Sequence, residues 1–382
     1  MLYNIIDYVN EYGKYSFDEM PFNEVDSLIF CQISYMNWTP FIEGIGMTTV
    51  PLLLKDIIEK NPMEELTKGY WFKKENETMV RAMASSERFC NLKLNYHVNI
   101  INEETQTQFC AMTFMVPGVL LYVAFRGTDA TLVGWKEDLN FALSGPAHSQ
   151  ELAVEYLNRV ASYTNGDFYV GGHSKGGNLA VYGAMFCEER TREKILHVYN
   201  HDGPGFRPEI LEKGHFNEMK KKISKFIPKS SIVGTIMEEP GNFIPVESNI
   251  AGLLQHNSYY WRVEKDHFVV LTERPKMRQI SDKALNQWIF SMPEDEVRVF
   301  VDTIYEVAKA TQSKDIFGME EKPIESIQRS FEAMKEVDET TRKVVMEIIK
   351  ELLEVTGQNL MEEANTGLRK IQKIVDRYMA KR

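Results

Sequence analysis

The chain has 382 residues, a formal net charge of −11, 43% hydrophobic and 11% aromatic residues. That composition supplies a sizeable core and argues against a disordered or fibrous chain. The acidic balance repels phosphate backbones and argues against nucleic acid as a general partner. Cys31, Cys90, Cys110 and Cys187 show neither zinc-ligand nor CxxC spacing, which points to reduced thiols.

The opening MLYNIIDYVNEYGKYSFDEM lacks the basic, then apolar, then small-residue order of a signal peptide. The longest apolar run, VPGVLLYVAF, is about half of what a membrane span needs. The expectation is a soluble, cytoplasmic protein with no transmembrane segment. Residues 20–60 read as helices with loops. EVDSLIFCQISYM (Glu24 to Met36) has apolar residues at helical spacing, with a start signal at Asn23 or Pro21. Met36, Trp38, Phe41 and Met47 read as core, with a lid over an apolar pocket as the alternative. FCAMTFMVPGVLLYVAFRG (Phe109 to Gly127) predicts two strands and a turn at Pro117-Gly118. The second strand is nearly all apolar, as a sheet buried on both faces requires.

SQELAVEYLNRVASYTNG (Ser149 to Gly166) predicts an amphipathic helix, DFYVGG a strand, and NLAVYGAMFCEER a helix. KILHVYNHDGPG (Lys194 to Gly205) is a strand with a glycine-rich exit, and KKISKFIPKSSIVGTIM and YYWRVEKDHFVVL hold further strand candidates. The lysine-rich run from Glu218 to Ser230 reads as a solvated helix face. The βαβ alternation predicts an α/β fold, a mostly parallel sheet with helices on both faces. After about Ser281 the pattern changes. Ser291, Pro293 and Glu294 have capping-box spacing, Val297, Phe300, Val301, Ile304 and Tyr305 form a stripe, and helices follow near 323–337, 339–356 and 358–380. These stripes bury against each other or the main domain; a partner or a membrane surface is the alternative.

Gly172-His173-Ser174-Lys175-Gly176 is G-x-S-x-G between a predicted strand and a predicted helix. That context is a nucleophile elbow, a sharp turn that pushes Ser174 Oγ out of the sheet edge. Small residues two positions either side avoid the neighbouring strand and helix. The turn aims the Lys175 amide and the positive helix end at a developing oxyanion. FRGTDATLVGWKEDL (Phe125 to Leu139) follows a strand ahead of the elbow, where an oxyanion loop belongs, and Thr128 is its candidate donor. The plain alternatives are a glycine-rich packing turn and a loop whose Arg126 and Asp129 satisfy backbone groups.

VAFRGT, then Gly134, Trp135, Asp138 and Leu139, then GGHSKGGNLA, then VYNHDGPGF resembles the class 3 (fungal-type) lipases, and more closely their bacterial relatives, the Mbeg1-like family. The similarity runs from about the N-terminus to Leu271. It implies an α/β-hydrolase-like domain over residues 1–285 and leaves residues 286–382 as a helical C-terminal appendage. Two departures stand out. Such lipases read GHSLGG, whereas Lys175 here replaces the leucine, bringing a cation that lowers a pKa, selects anionic substrates or reaches solvent. Their acid lies in a D-x-V-P segment, whose counterpart FIPKSSIVGTI has Ser230 and Ser231 in its place.

The chain order of α/β-hydrolases is serine, acid, histidine. Of His197, His201, His215, His256 and His267, His256 in LLQHNSYYW fits best, ahead of an aromatic as in the lipases, and His267 is second. For the acid, Asp202 lies at the exit of the strand beyond the elbow, a position some lipases use; Glu238, Glu239, Glu247 and a serine arrangement through Ser231 are reserves. The reading is a serine hydrolase cleaving a small-molecule or lipid ester. Ser174, His256 and Asp202 are catalytic, Thr128 and Lys175 hold the oxyanion, and no metal or organic cofactor is needed. Peripheral membrane contact remains open, as does the oligomeric state. The rival readings are a hydrolase-fold binding module with a lost triad, and an adaptor acting through the C-terminal helices.

Overall fold

The computed structural model describes residues 3–42, 50–68, 72–102, 104–105, 107–128, 146–238, 241–250 and 253–291. The helices are α1 (Ile5–Tyr12), α2 (Glu24–Ile33), α3 (Leu54–Lys60), α4 (Met63–Leu66), α5 (Lys73–Ala84), α6 (His148–Tyr163), α7 (Lys175–Phe186), α8 (Glu189–Glu193), α9 (Pro208–Lys213), α10 (Phe216–Met219) and α11 (Lys276–Ser291). The strands are β1 (Leu52–Leu53), β2 (Lys93–Asn102), β3 (Thr107–Val116), β4 (Leu120–Phe125), β5 (Phe168–His173), β6 (Ile195–His201), β7 (Ile223–Pro228), β8 (Ile244–Val246), β9 (Val263–Glu264) and β10 (His267–Phe268).

Strands β1 to β8 form one sheet in sequence order, and β9 and β10 a separate hairpin. The ladder is antiparallel from β1 to β4 and parallel from β4 to β8. The β3–β4 hairpin turns at Pro117 to Val119, where Gly118 has φ +75°. Its strands pair Ala111 with Phe125 and Val116 with Leu120. A hairpin can close a two-residue gap, whereas each parallel step needs a crossover, and α6 and α7 supply two of them.

Alternation along the strands sorts side chains onto two cores. Phe109, Ala111, Val123, Phe125 and Val170 face α6, α7 and α11, meeting Leu157, Val160, Leu179 and Ile289. Met112, Phe114, Tyr122, Ala124 and Phe226 face the N-terminal helices, meeting Leu28, Ile29, Val80 and Trp38. This is the α/β-hydrolase-like arrangement expected from the alternation and the resemblance. Helix α2 starts where the start signal places it: Asn23 accepts from the amides of Val25 and Asp26, and Asp26 returns a bond to the Asn23 amide. Asp26 is then buried against Arg88, which also donates to the carbonyls of Met20 and Pro21 and so fixes the entry to α2.

Met36 and Trp38 are fully buried, as the core reading expects, Phe41 is half-buried, and Met47 lies outside the described residues. Two expectations change. The lysine-rich run is not one solvated helix face. Lys222 donates to the Ile195 carbonyl, and β7 carries Lys225 inward to Glu238. Helix α11 has no counterpart in the sequence reading. It runs through position 285, packs Leu285 and Ile289 into the core, and ties its Asn286 amide to Met237 N and the Thr235 and Glu238 carbonyls. Residues 292–382, with the predicted C-terminal helices, lie outside the described residues. Among those described, no helix is long and apolar enough to cross a membrane.

Candidate active site

Ser174 stands at the junction of β5 and α7 with φ 59° and ψ −132°, a left-handed backbone that a serine adopts only when its surroundings impose it. Its amide donates to the His201 carbonyl, binding the elbow to the end of β6. Its side chain makes no capping bond to α7, so Oγ is not spent on the helix end. The flanking glycines are required by contact. A Cβ at Gly172 would lie 2.0 Å from the Gly176 carbonyl carbon, and one at Gly176 would lie 2.1 Å from the Phe125 carbonyl oxygen. The turn therefore packs helix against strand at backbone contact, which throws the residue between them forward.

Asp202 lies one residue beyond β6, with φ 55°. Its amide donates to the Phe226 carbonyl at 2.8 Å, and the Asn200 side chain accepts from Gly203 N. Asn178 of α7 donates to the Pro204 and Gly205 carbonyls. The glycine-rich exit is thus clamped to the elbow helix. The Asp202 carboxylate is fully buried, and among the described residues it accepts every hydrogen bond it makes. Ser231 Oγ donates to Oδ2 at 2.6 Å, Gly234 N to Oδ1 at 3.1 Å, and His256 Nδ1 to Oδ2 at 2.6 Å. A buried carboxylate needs such a cage.

His256 ends a 3-10 turn at Leu253–His256. Its imidazole side chain is 24% exposed against 0% for Asp202, so the imidazole reaches solvent while the carboxylate does not. With Nδ1–H given to the carboxylate, Nε2 holds the lone pair, the tautomer a general base requires. The backbone carbonyl of His256 accepts from His173 Nε2 at 2.7 Å, and the two rings pack at 4.6 Å between centroids. Burial first, and the neighbouring His256 second, hold His173 well below the usual histidine range, so it is neutral.

Ser174, Asp202 and His256 therefore converge at the carboxyl ends of β5 and β6. Among the described residues no hydrogen bond joins Ser174 Oγ to His256. Thr128 lies three residues beyond β4, and the preceding Gly127 touches the elbow. A Cβ at Gly127 would lie 3.0 Å from Ser174 Cβ. Asp129, Gly134, Trp135, Asp138 and Leu139 lie outside the described residues. The Lys175 side chain does not reach solvent. It is 1% exposed, and Nζ donates to the Gln108 carbonyl at 2.7 Å and to Gln108 Oε1 at 3.2 Å.

The other candidates are placed elsewhere. His197 bonds Ser224, His201 bonds Ser27, and His215 faces Glu218. His267 pairs with Asp266 in the β9–β10 hairpin. Glu238 and Glu247 pair with Lys225 and Lys229, and Glu239 lies outside the described residues. The departure at Ser231 acquires a physical meaning: the serine in that segment donates to the Asp202 carboxylate at the end of β6. Two members were missed. Tyr35 reaches His173 from the loop after α2, and Arg274 holds the Ser231 carbonyl while pairing with Asp282 of α11. Neither carries a local signal, because each acts across more than forty residues of chain.

The sequence pattern of the Mbeg1-like family matches residues 83–306, more than half of the chain. The chain belongs to the Mbeg1-like family. The matched span contains Thr128, Ser174, Asp202, Ser231 and His256. No curated protein matches this Mbeg1-like chain. A solved structure described as the crystal structure of M37 lipase is similar to it at 13% identity, covering 56% of this chain and 68% of that one, with a TM-score of 0.34.

Proposed function

We propose that this Mbeg1-like protein is a serine hydrolase that cleaves carboxylic esters through an acyl-enzyme. The observation that carries this reading is the bond from His256 Nδ1 to the buried Asp202 carboxylate at 2.6 Å, beside a serine in a strained elbow. In the proposed reaction Ser174 Oγ attacks the acyl carbon and its proton passes to His256 Nε2. Asp202 stabilises the resulting imidazolium, and Ser231 and Gly234 in turn hold Asp202. The Lys175 amide and Thr128 stabilise the oxyanion, each donor lowering the barrier by roughly 2.7–4 kcal/mol. His256 returns the proton to the departing alkoxide, and water then repeats the sequence on the acyl-enzyme. The substrate class is a small-molecule or lipid ester.

The test is turnover of a panel of p-nitrophenyl esters by wild type and Ser174→Ala, with folding checked by circular dichroism. The proposal expects turnover that disappears in a folded Ser174→Ala. Equal turnover in the two proteins would sink it. A hydrolase-fold binding module is the second reading, favoured by the missing bond between Ser174 Oγ and His256, and it expects an inert wild type.

A further inference from the structure

Resting on the proposed hydrolase reading, we infer that His173, the residue before the serine, is a neutral positioning strut that fixes the base His256, and that the Tyr35 hydroxyl supports it from the opposite side. A carbonyl oxygen can only accept, so the 2.7 Å contact to the His256 carbonyl requires a proton on His173 Nε2. Nδ1 of the neutral ring then holds a lone pair, and the Tyr35 hydroxyl lies 3.2 Å from it and 3.4 Å from the His173 carbonyl, its proton shared between these two acceptors. The ring is walled in. It is buried, packs against His256 at 4.6 Å between centroids with the rings tilted by 32°, and meets Trp261 edge-on at 6.4 Å.

The strut closes a gap that the acid leaves open. Asp202 bonds Nδ1 of His256 and so fixes the imidazole at one point, about which the ring and its backbone can still swing. Trp261 Nε1 holds the Gln255 carbonyl at 3.0 Å, and His173 holds the next carbonyl in the turn. Two successive carbonyls and one ring nitrogen then define where Nε2 of His256 points. Because His173 is adjacent in sequence to Ser174, the same residue ties nucleophile and base to one rigid strand end. Neutrality matters as well. The ring lies against the group that becomes imidazolium, and a second cation there would oppose that charge. Burial enforces the neutral form.

The test compares wild type with His173→Phe, His173→Gln and Tyr35→Phe as full chains. It measures the second-order rate of fluorophosphonate labelling and nitrogen-15 histidine spectra. Phenylalanine keeps the stacking and loses the donor. Glutamine places an amide N–H where Nε2–H was. Labelling is expected to slow by about 10- to 100-fold in His173→Phe, to return to within about 3-fold of wild type in His173→Gln, and to fall partway in Tyr35→Phe, with similar melting temperatures for wild type and Tyr35→Phe. The spectra are expected to show a neutral Nε2–H tautomer for His173 in wild type and in Tyr35→Phe, because the His256 carbonyl requires it in both. Equal labelling rates in wild type and His173→Phe, or an Nδ1–H tautomer in wild type, would overturn the strut. A wild type that is never labelled defeats the hydrolase reading itself, and the tautomer in the spectra then decides the strut alone.

Discussion

Asp202→Asn tests the proposed acid without changing its shape. The carboxylate accepts three hydrogen bonds, two at Oδ2 from Ser231 and His256 and one at Oδ1 from Gly234. An asparagine offers only one oxygen. With that oxygen at the Oδ1 position it satisfies Gly234, and its NH2 faces His256 Nδ1. The imidazole must then accept at Nδ1 and carry its proton on Nε2, which cannot take one from Ser174. With the amide turned over, His256 keeps the useful tautomer, but an N–H faces the Gly234 N–H in a buried site. That collision costs about 1–3 kcal/mol, so the idle tautomer is favoured by about 5- to 150-fold. Loss of the negative charge opposite the forming imidazolium adds to this, for a combined fall in kcat/KM of about 10²- to 10⁴-fold. The assay is p-nitrophenyl ester hydrolysis across the chain-length panel, with thermal melts to show that the isosteric variant folds. A folded Asp202→Asn within about 3-fold of wild type would refute the tautomer argument.

Three further outcomes follow from the same contacts. Ser231→Ala removes a donor from a buried carboxylate, a charge-assisted bond of about 1.5–3 kcal/mol, and is expected to lower kcat more than it raises KM; an unchanged kcat would show that Ser231 only fills space. Arg88→Met leaves Asp26 buried without its cation and is expected to cost about 3–5 kcal/mol in urea unfolding, with part of the loss restored by adding Asp26→Leu; a loss below about 1 kcal/mol would contradict the buried pair. Burial pushes His201 down to about 3 and His97 down to about 4. Both folded values lie below the unfolded one, so their stabilisation is complete above about pH 6.5 and is lost as pH falls toward the folded values. Each is expected to remove roughly 1 kcal/mol between pH 7 and 5.5, and a flat unfolding free energy over that range would exclude buried, neutral histidines.

The parts legible in the sequence are those whose cause is local. The elbow is visible because backbone contact at Gly172 and Gly176 admits only glycine. The parallel sheet shows in β4 and β5 because strands covered on both faces must be apolar throughout. Asp202 and His256 were named from chain order and from the resemblance, and the structure brings them together. The role of Ser231 was open, because a hydroxyl beside a glycine-rich segment looks the same whether it replaces an acid or supports one. Helix α11 escaped notice since its inward face mixes Asp282, Leu285, Asn286 and Ile289, and the polar members serve as caps for the turn at Thr235 rather than as solvent contacts. The inward course of Lys175 was equally hidden, because its partner Gln108 lies on a strand 67 residues earlier.

The most direct measurement is labelling of the full chain with a fluorophosphonate probe, wild type beside Ser174→Ala, with the adduct mapped by mass spectrometry. An activated serine predicts one adduct on Ser174 in wild type and none in the variant. A well-folded wild type that stays unlabelled, or one labelled equally after Ser174→Ala, would contradict the proposal that Ser174, His256 and Asp202 act as a catalytic unit.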